Sequence, residues 1–475
     1  MKINKHPIKL FASAKAVITL FLHLPGEDRA RHIVERMENL DEEETNECMV
    51  KVMHDFANRH RNIHGIFLRH FQRLVNVYPR GLSHFSLQKK LLLGAFLTKE
   101  YSIQSAALFN PSIVSHPHQQ GLTPGQQRFV MSLRSTGEGH ISSIVFHTGI
   151  IDEDGDITLD MPTGYFTPLQ KKADAVYDKI FIHACAANTP GFNKQALDVL
   201  PGSFTAEQAK NIFTQMANPV GSMTDSMAGV EEILDANYEL EDPPDLSISE
   251  RVIFPHAKEE IMGMEDVRFV KFEDDGRSYY YGTYTAYNGK QIKTHLIETG
   301  DFKKFTIRRL YGSAIKDKGM ALFPEKVNGK FVMVSRQGGE NISIMFSDDL
   351  YCWNECQMLM EPKFNWEFVQ IGNCGSPLKT DMGWLLLTHG VGLMRTYVIS
   401  AVLLDLDDPT KIIGRLDKPL IAADEEEREG YVPNVVYTCG LIRHGNLLVI
   451  PYAVSDSATG FATIALHDLL NEFKL

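Results

Sequence analysis

Two textures of apolar spacing divide the chain. Up to about residue 100, apolar side chains recur at three- and four-residue steps: Ile33, Met37, Leu40, then Met49, Val52, Met53, Phe56, then Ile66, Phe67, Phe71, Leu74. That spacing gives each helix one apolar stripe. The run Asp41-Glu42-Glu43-Glu44 suits a helix N-terminus, where aligned peptide dipoles favour negative charge. A further helix is predicted from Leu87 to Leu97. The apolar segment Ala14 to Leu22 reads as a core helix, because Leu24-Pro25-Gly26-Glu27-Asp28 follows it without a small-residue cleavage site for a secretion signal. Residues 1–104 are therefore expected to form an N-terminal helical region, suited to covering a pocket mouth or building a homo-oligomer.

From about residue 105 short alternating runs appear, separated by Gly, Asp and Asn turns. Examples are Arg128 to Leu133, Tyr279 to Thr285, Lys330 to Val334 and Trp384 to Thr388. Many short strands with turn signals between them predict a sandwich, barrel or propeller. A faint repeat favours the propeller. Ile297-Glu298-Thr299-Gly300-Asp301-Phe302 is echoed by Met345-Phe346-Ser347-Asp348-Asp349-Leu350, and a related turn follows Ala401-Val402-Leu403-Leu404. Spacings of about 40–60 residues fit one four-stranded blade each. Residues 105–475 are expected to form a mainly β, five-bladed β-propeller with a helical insertion at about 195–245.

Composition narrows the function classes. The formal net charge of -12 argues against a general nucleic-acid binder, which needs clustered Lys and Arg. No run of about 18 apolar residues marks a membrane span. The six cysteines form no paired metal motif and read as reduced thiols of a cytoplasmic protein, so neither metal nor cofactor is expected.

The chemistry-bearing motifs lie in the β-rich part. Gly263-Met264-Glu265-Asp266-Val267-Arg268 places two carboxylates beside an arginine just before a strand, an arrangement for acid/base work or for a salt-bridged turn. Regular alternation lets only one of the two carboxylates face a given pocket. Lys316-Asp317-Lys318-Gly319 and Ser335-Arg336-Gln337 offer long donors for an anion or for sugar hydroxyls. Trp366 is placed to stack on a sugar face and Glu367 to bond its hydroxyls, the alternative being inter-blade packing. His389 reads equally as a buried structural histidine or a functional one. Asp456 reads as a ligand for a hydroxyl pair or as a turn cap.

In this order the motifs resemble glycoside hydrolase family 130, from about Phe109-Asn110-Pro111 to the C-terminus. The resemblance rests on Glu-Asp-x-Arg, Lys-x-x-Ala-Leu-Phe-Pro-Glu-Lys, Gly-Trp-Leu-x-x-x-His-Gly, Leu-Leu-Asp-Leu-x-Asp-Pro and Val-Pro-Asn-Val-Val in succession. It implies an inverting β-mannoside phosphorylase that uses phosphate as co-substrate to release α-mannose 1-phosphate. Asp266 matches the general acid. Asn110, Arg134, Arg268, His389 and Asp456 match the sugar pocket, where Glu265, Trp366 and Glu367 are further substrate-binding candidates. Lys318 matches a lysine near the phosphate, with Arg336 and Asn288 at neighbouring positions. Two departures stand out: Ser335-Arg336-Gln337 replaces a His-Arg-Pro, and Tyr287-Asn288 lacks a preceding arginine. They keep open an inverting β-mannosidase with Glu340 or Glu367 as base, its carboxylates roughly 6.5–9.5 Å apart. A third possibility is a carbohydrate-binding propeller without turnover.

Overall fold

Along the strand Gly383–Val391, every residue is buried, and successive side chains leave opposite faces of the sheet. Trp384 and Leu386 enter one apolar cluster, whereas Leu385 and Leu387 enter another. A sheet covered on both faces explains why this segment is one apolar run rather than an alternation. The computed structural model describes residues 1–78, 82–188, 197–216, 222–241 and 245–473.

The strands fall into successive antiparallel meanders. The first comprises Ala107–Ser115, Gln127–Thr136, Ser142–Ile151 and Ile157–Leu159. The second comprises Gly263–Asp274, Arg277–Tyr287, Ile292–Thr299 and Phe305–Arg309, and a bridge from Gly263 to Ser142 joins it to the first. The third comprises Lys318–Leu322, Phe331–Arg336, Ile342–Ser347 and Glu355–Met360. In the fourth, Gln370–Asn373 pairs with Gly383–Val391, which continues to Tyr397–Leu404 and Ile412–Arg415. In the last, Val436–Tyr437, Leu447–Val454 and Ala458–Ala465 are completed by the N-terminal strand Ile3–Phe11. The echoed Asp turns of the sequence follow the third strand of the second, third and fourth meanders.

Apolar clusters lie between neighbouring meanders. Phe146 meets Phe269 and Tyr284 between the first and second. Phe272 and Leu296 meet Met320 and Met333 between the second and third. Val334 meets Trp384 between the third and fourth, and Leu387 meets Leu448 and Ile450 between the fourth and the last. Val449 and Phe461 of the last meander then pack with Met131 and Leu133 of the first.

The helices near the N-terminus are Glu27–Asn39, Glu42–Phe56, Ile63–Val77 and Leu87–Phe96, with their own core around Phe67 and Leu92. Asp41 caps the second of them in a reciprocal box with Glu44. The expected helix over Ala14–Leu22 is instead the strand Val17–Phe21, paired with Thr98–Ser102. Its β-branched Val17, Ile18 and Thr19 favour extended backbone, and a partner strand supplies the hydrogen bonds. Residues 1–104 are thus helical only between strands. Ala206–Met216 and Ser222–Ala236 are helices within the expected insertion at 195–245, and a further helix, Lys179–Ala187, precedes it. Positions 195–196, 217–221 and 242–244 of that insertion lie outside the described residues. Among the described residues no helix is long and apolar enough to cross a membrane.

Candidate active site

Strict alternation would send Glu265 and Asp266 to opposite faces. The strand Gly263–Asp274 breaks alternation with a bulge between Glu265 and Arg268, and Asp266 takes a left-handed φ of 55°. A bulge adds an unpaired residue and re-aims its side chain. Both carboxylates therefore meet one guanidinium: Arg134 Nη2 lies 2.9 Å from Glu265 Oε1, and Nη1 lies 3.1 Å from Asp266 Oδ1. The expectation that only one of them faces the site is corrected by this local geometry.

The same device recurs on the neighbouring meanders. A bulge between Phe109 and Ser112 holds Asn110 at φ 50°, and its Nδ2 donates to Asp266 Oδ1 at 2.7 Å. Another bulge follows Lys318, whose Nζ lies 3.1 Å from Glu265 Oε2. Arg268 runs behind the pair as a buried strut. It donates to the Asp266 carbonyl at 3.0 Å, the Cys374 carbonyl at 2.8 Å and the Tyr437 hydroxyl at 2.7 Å.

In an antiparallel meander, the turn between the second and third strands returns to the end where the first strand starts. Asp456 occupies that turn of the last meander, at φ 50°. Its charge is felt by Arg134, and it in turn feels Asp266, Arg134 and Arg395. On the fourth meander, His389 is fully buried, stacked 5.8 Å from Tyr397 and edge-on to Tyr437 at 4.8 Å. Arg336 Nη1 approaches its Nε2 at 3.4 Å. Asn110 Oδ1 and Asn373 Oδ1 are buried without a protein donor, and a hydroxyl-rich ligand supplies such donors.

Environment splits the carboxyl groups. Burial pushes Asp266 up, but Arg134, Arg268, the Asn110 amide and Lys318 outweigh it and hold the group down at about 2. Burial and then the charge of Asp266 push Asp456 up to about 6, against partial relief from Arg134 and Arg395. His389 is held well below the usual histidine range by burial, then by Arg336 and Arg268, so it is neutral at pH 7.

The structure thus gathers Asn110, Arg134, Glu265, Asp266, Arg268, Lys318 and Asp456, with the Arg336–His389 pair alongside. Three further sequence candidates have partners outside this group. Glu367 is fully buried, and its Oε1 accepts from the backbone N–H of Lys363 and Phe364 and pairs with Arg415. Its Oε1 is thus held in packing, and its Oε2 is buried without a partner. Trp366 donates its Nε1–H to the Asp417 carbonyl at 3.1 Å and stacks on Phe364. Asn288 Oδ1 accepts from Lys290 N and Gln291 N of its own turn. The other candidate base, Glu340, is exposed on the turn after Arg336. Sequence reasoning missed Tyr437, although it directly follows the Val432-Pro433-Asn434-Val435-Val436 motif. Among the described residues, no cluster of three or more His, Cys, Asp and Glu has a metal-binding arrangement.

The family model described as beta-1,4-mannooligosaccharide phosphorylase matches residues 229–475. A 1,2-beta-oligomannan phosphorylase from a Thermoanaerobacter species is 33% identical over 228 residues, 47% of this chain and 75% of that protein. A beta-1,2-mannobiose phosphorylase from the same source is 34% identical over 233 residues, 48% of this chain and 73% of that protein. A solved beta-1,2-mannobiose phosphorylase from Listeria innocua, in complex with beta-1,2-mannobiose, is 19% identical with a TM-score of 0.47, covering 78% of this chain and 92% of that one. With the family model spanning more than half of the sequence and a relative matched over three-quarters of its length, the chain belongs to glycoside hydrolase family 130.

Proposed function

We propose that the protein is an inverting β-mannoside phosphorylase, which cleaves a β-mannosyl linkage with phosphate to give α-mannose 1-phosphate and a shortened sugar. The observation that carries this reading is the Asp266 constellation: one carboxylate held by Asn110 and Arg134, with the cations Lys318 and Arg336 at the same end of the meanders. A phosphate oxygen attacks the anomeric carbon from the face opposite the leaving oxygen, so one displacement inverts β to α. Phosphate is already a nucleophile and needs no general base. The reaction needs cations to hold phosphate, the role assigned to Lys318 and Arg336. It also needs a proton for the leaving oxygen, delivered by Asp266 through a hydroxyl of the mannosyl ring. The full burial of Glu367 against Arg415 weighs against it as the base that would activate a water. The names of the relatives, an oligomannan phosphorylase and a mannobiose phosphorylase, support the same activity.

For the architecture, we propose a five-bladed β-propeller over residues 105–475, its last blade completed by Ile3–Phe11. Support comes from the cyclic order of apolar clusters, in which the last meander packs back onto the first. The activity is tested by incubating the protein with β-1,2-, β-1,3- and β-1,4-mannobiose, with and without phosphate. Mannose 1-phosphate forming only with phosphate is expected. Free mannose forming at the same rate without phosphate overturns the reading. Asp266→Asn should abolish turnover while retaining mannobiose binding.

A further inference from the structure

Cations around the site are met by carboxylates. Arg134 pairs with Glu265 and Asp266, and Lys318 pairs with Glu265. Arg336 differs. Its guanidinium hydrogen-bonds to the His389 ring and the Gln370 amide, and no carboxylate pairs with it among the described residues. Its Nε is buried without a partner. Arg336 also stands directly opposite Lys318 in the register of their two strands, so two like charges share one face. Like charges at opposed positions are destabilising. Glu265 answers the charge of Lys318, and the charge of Arg336 is left for an anion from outside the protein.

The Gln370 side chain sets where that charge points. Ile371 N donates to the Glu340 carbonyl at 2.9 Å, which ties the start of the strand Gln370–Asn373 to the turn that follows Arg336. From there the Gln370 amide spans the turn and the cation. Its Nε2 donates to the Gly339 carbonyl at 3.1 Å, and its Oε1 accepts from Arg336 Nη1. The opposite amide orientation would set oxygen against carbonyl and N–H against guanidinium. On the other side, His389 Nε2 lies 3.4 Å from the same Nη1. Gly372 makes room for this arrangement: a Cβ there would come within 2.4 Å of His389 Cε1 and 3.0 Å of Arg336 Cδ. An amide oxygen and a neutral ring orient a guanidinium without cancelling its charge. A carboxylate would orient it and cancel the charge as well.

We propose that Gln370 is a positioning residue for phosphate, holding Arg336 in place as a neutral acceptor so that the guanidinium charge stays available to the anion. This rests on the phosphorylase reading above. Gln370 acts through Arg336, and its side chain touches neither phosphate nor sugar in this role. Two properties of glutamine are used. Its length lets one amide reach both the Gly339 carbonyl and the guanidinium, and its neutrality keeps it from competing with phosphate. Gln370→Glu keeps the length and removes the neutrality. Gln370→Met keeps the length and removes the acceptor.

The test measures KM for phosphate, KM for mannobiose at saturating phosphate, and kcat per folded molecule, in wild type and in both variants. Phosphate KM should rise about tenfold or more in each variant, the worth of one hydrogen bond to a charged group. Mannobiose KM and kcat should stay within about twofold, because only the hold on phosphate is weakened. An unchanged phosphate KM in Gln370→Glu overturns the proposal, since a carboxylate beside Arg336 must compete with the anion if that cation binds it. Phosphate KM, mannobiose KM and kcat all worsening together also overturns it, because that pattern marks a general loss of site structure. In the wild type alone, added inorganic phosphate should shift the Arg336 guanidinium signal in arginine side-chain NMR, assigned with Arg336→Lys. No shift at saturating phosphate overturns the proposal without a variant at Gln370. A wild type that releases free mannose at the same rate without phosphate refutes the functional reading itself, a separate outcome.

Discussion

Replacing Glu367 by Gln removes one charge from a fully buried ion pair while keeping the shape of the side chain. Glu367 Oε1 accepts from Lys363 N at 2.7 Å and Phe364 N at 3.0 Å, and it pairs with Arg415, whose side chain is 16% exposed. Breaking a buried pair from one side costs about 3–5 kcal/mol, because the remaining charge is left uncompensated. The amide oxygen of Gln still accepts from both backbone groups, and partial hydration relieves Arg415. The expected loss is therefore at the lower end, about 3 kcal/mol. At about 2 °C per kcal/mol for a large chain, the melting temperature should fall by about 6 °C. A second substitution, Arg415→Met, should recover part of that loss in the Glu367→Gln background, since the stranded cation is removed. The assay is a thermal melt paired with phosphorolysis at 25 °C, where both proteins remain folded. Turnover per folded molecule should stay within about twofold of wild type, since nothing in the reaction uses this carboxylate. Product formation falling by about 100-fold at an unchanged melting temperature would refute the reasoning and restore Glu367 as a base.

Asp456→Asn should stabilise the protein at pH 8 and leave it unchanged near pH 4. The carboxyl is raised from 3.8 to about 6, so stability is fully present below the unfolded value and is lost as pH rises towards 6. The shift corresponds to about 2 kcal/mol at pH 8 after allowance for partial hydration, readable as a pH-dependent melt difference. Asn110→Ala should slow turnover roughly tenfold and destabilise the fold by about 2 kcal/mol, because it removes a donor to a charged group and strains Ala at positive φ. Asn110→Gly should recover the stability but not the rate, which separates the two causes by melt and kinetics. Deleting residues 1–12 uncovers the edge of Ala458–Ala465 and removes the Lys5–Glu427 pair. The product should melt lower and self-associate on size-exclusion chromatography, as exposed edges do.

The sequence made the β-rich texture legible because short runs rich in apolar residues, alternating in some strands and continuous in others, are punctuated by turn residues. It also brought Asn110, Arg134, Asp266, Lys318 and Asp456 forward as candidates, through motifs whose order resembled a family. Alternation misled at Glu265-Asp266 because a bulge is a property of strand pairing, and pairing partners lie elsewhere in the chain. The segment Val17–Phe21 misled for a similar reason: five apolar-rich residues suit helix or strand, and the partner Thr98–Ser102 decides. Local sequence cannot show that Glu367 is buried against Arg415 or that Trp366 donates to the Asp417 carbonyl.

The sequence by itself determined which residue types were available for chemistry: the adjacent carboxylates, the scattered cations, and the absence of a paired cysteine metal motif. Tertiary structure alone decided their protonation. Asp266 and Asp456 are the same side chain with the same intrinsic acidity, 190 positions apart. Arg134 and Arg268 converge on the first and hold it down at about 2, whereas burial and the first carboxylate push the second up to about 6. Electrostatic energy depends on distance and burial rather than on order along the chain, so only the folded arrangement of strand ends and turns could set the two carboxyl groups apart.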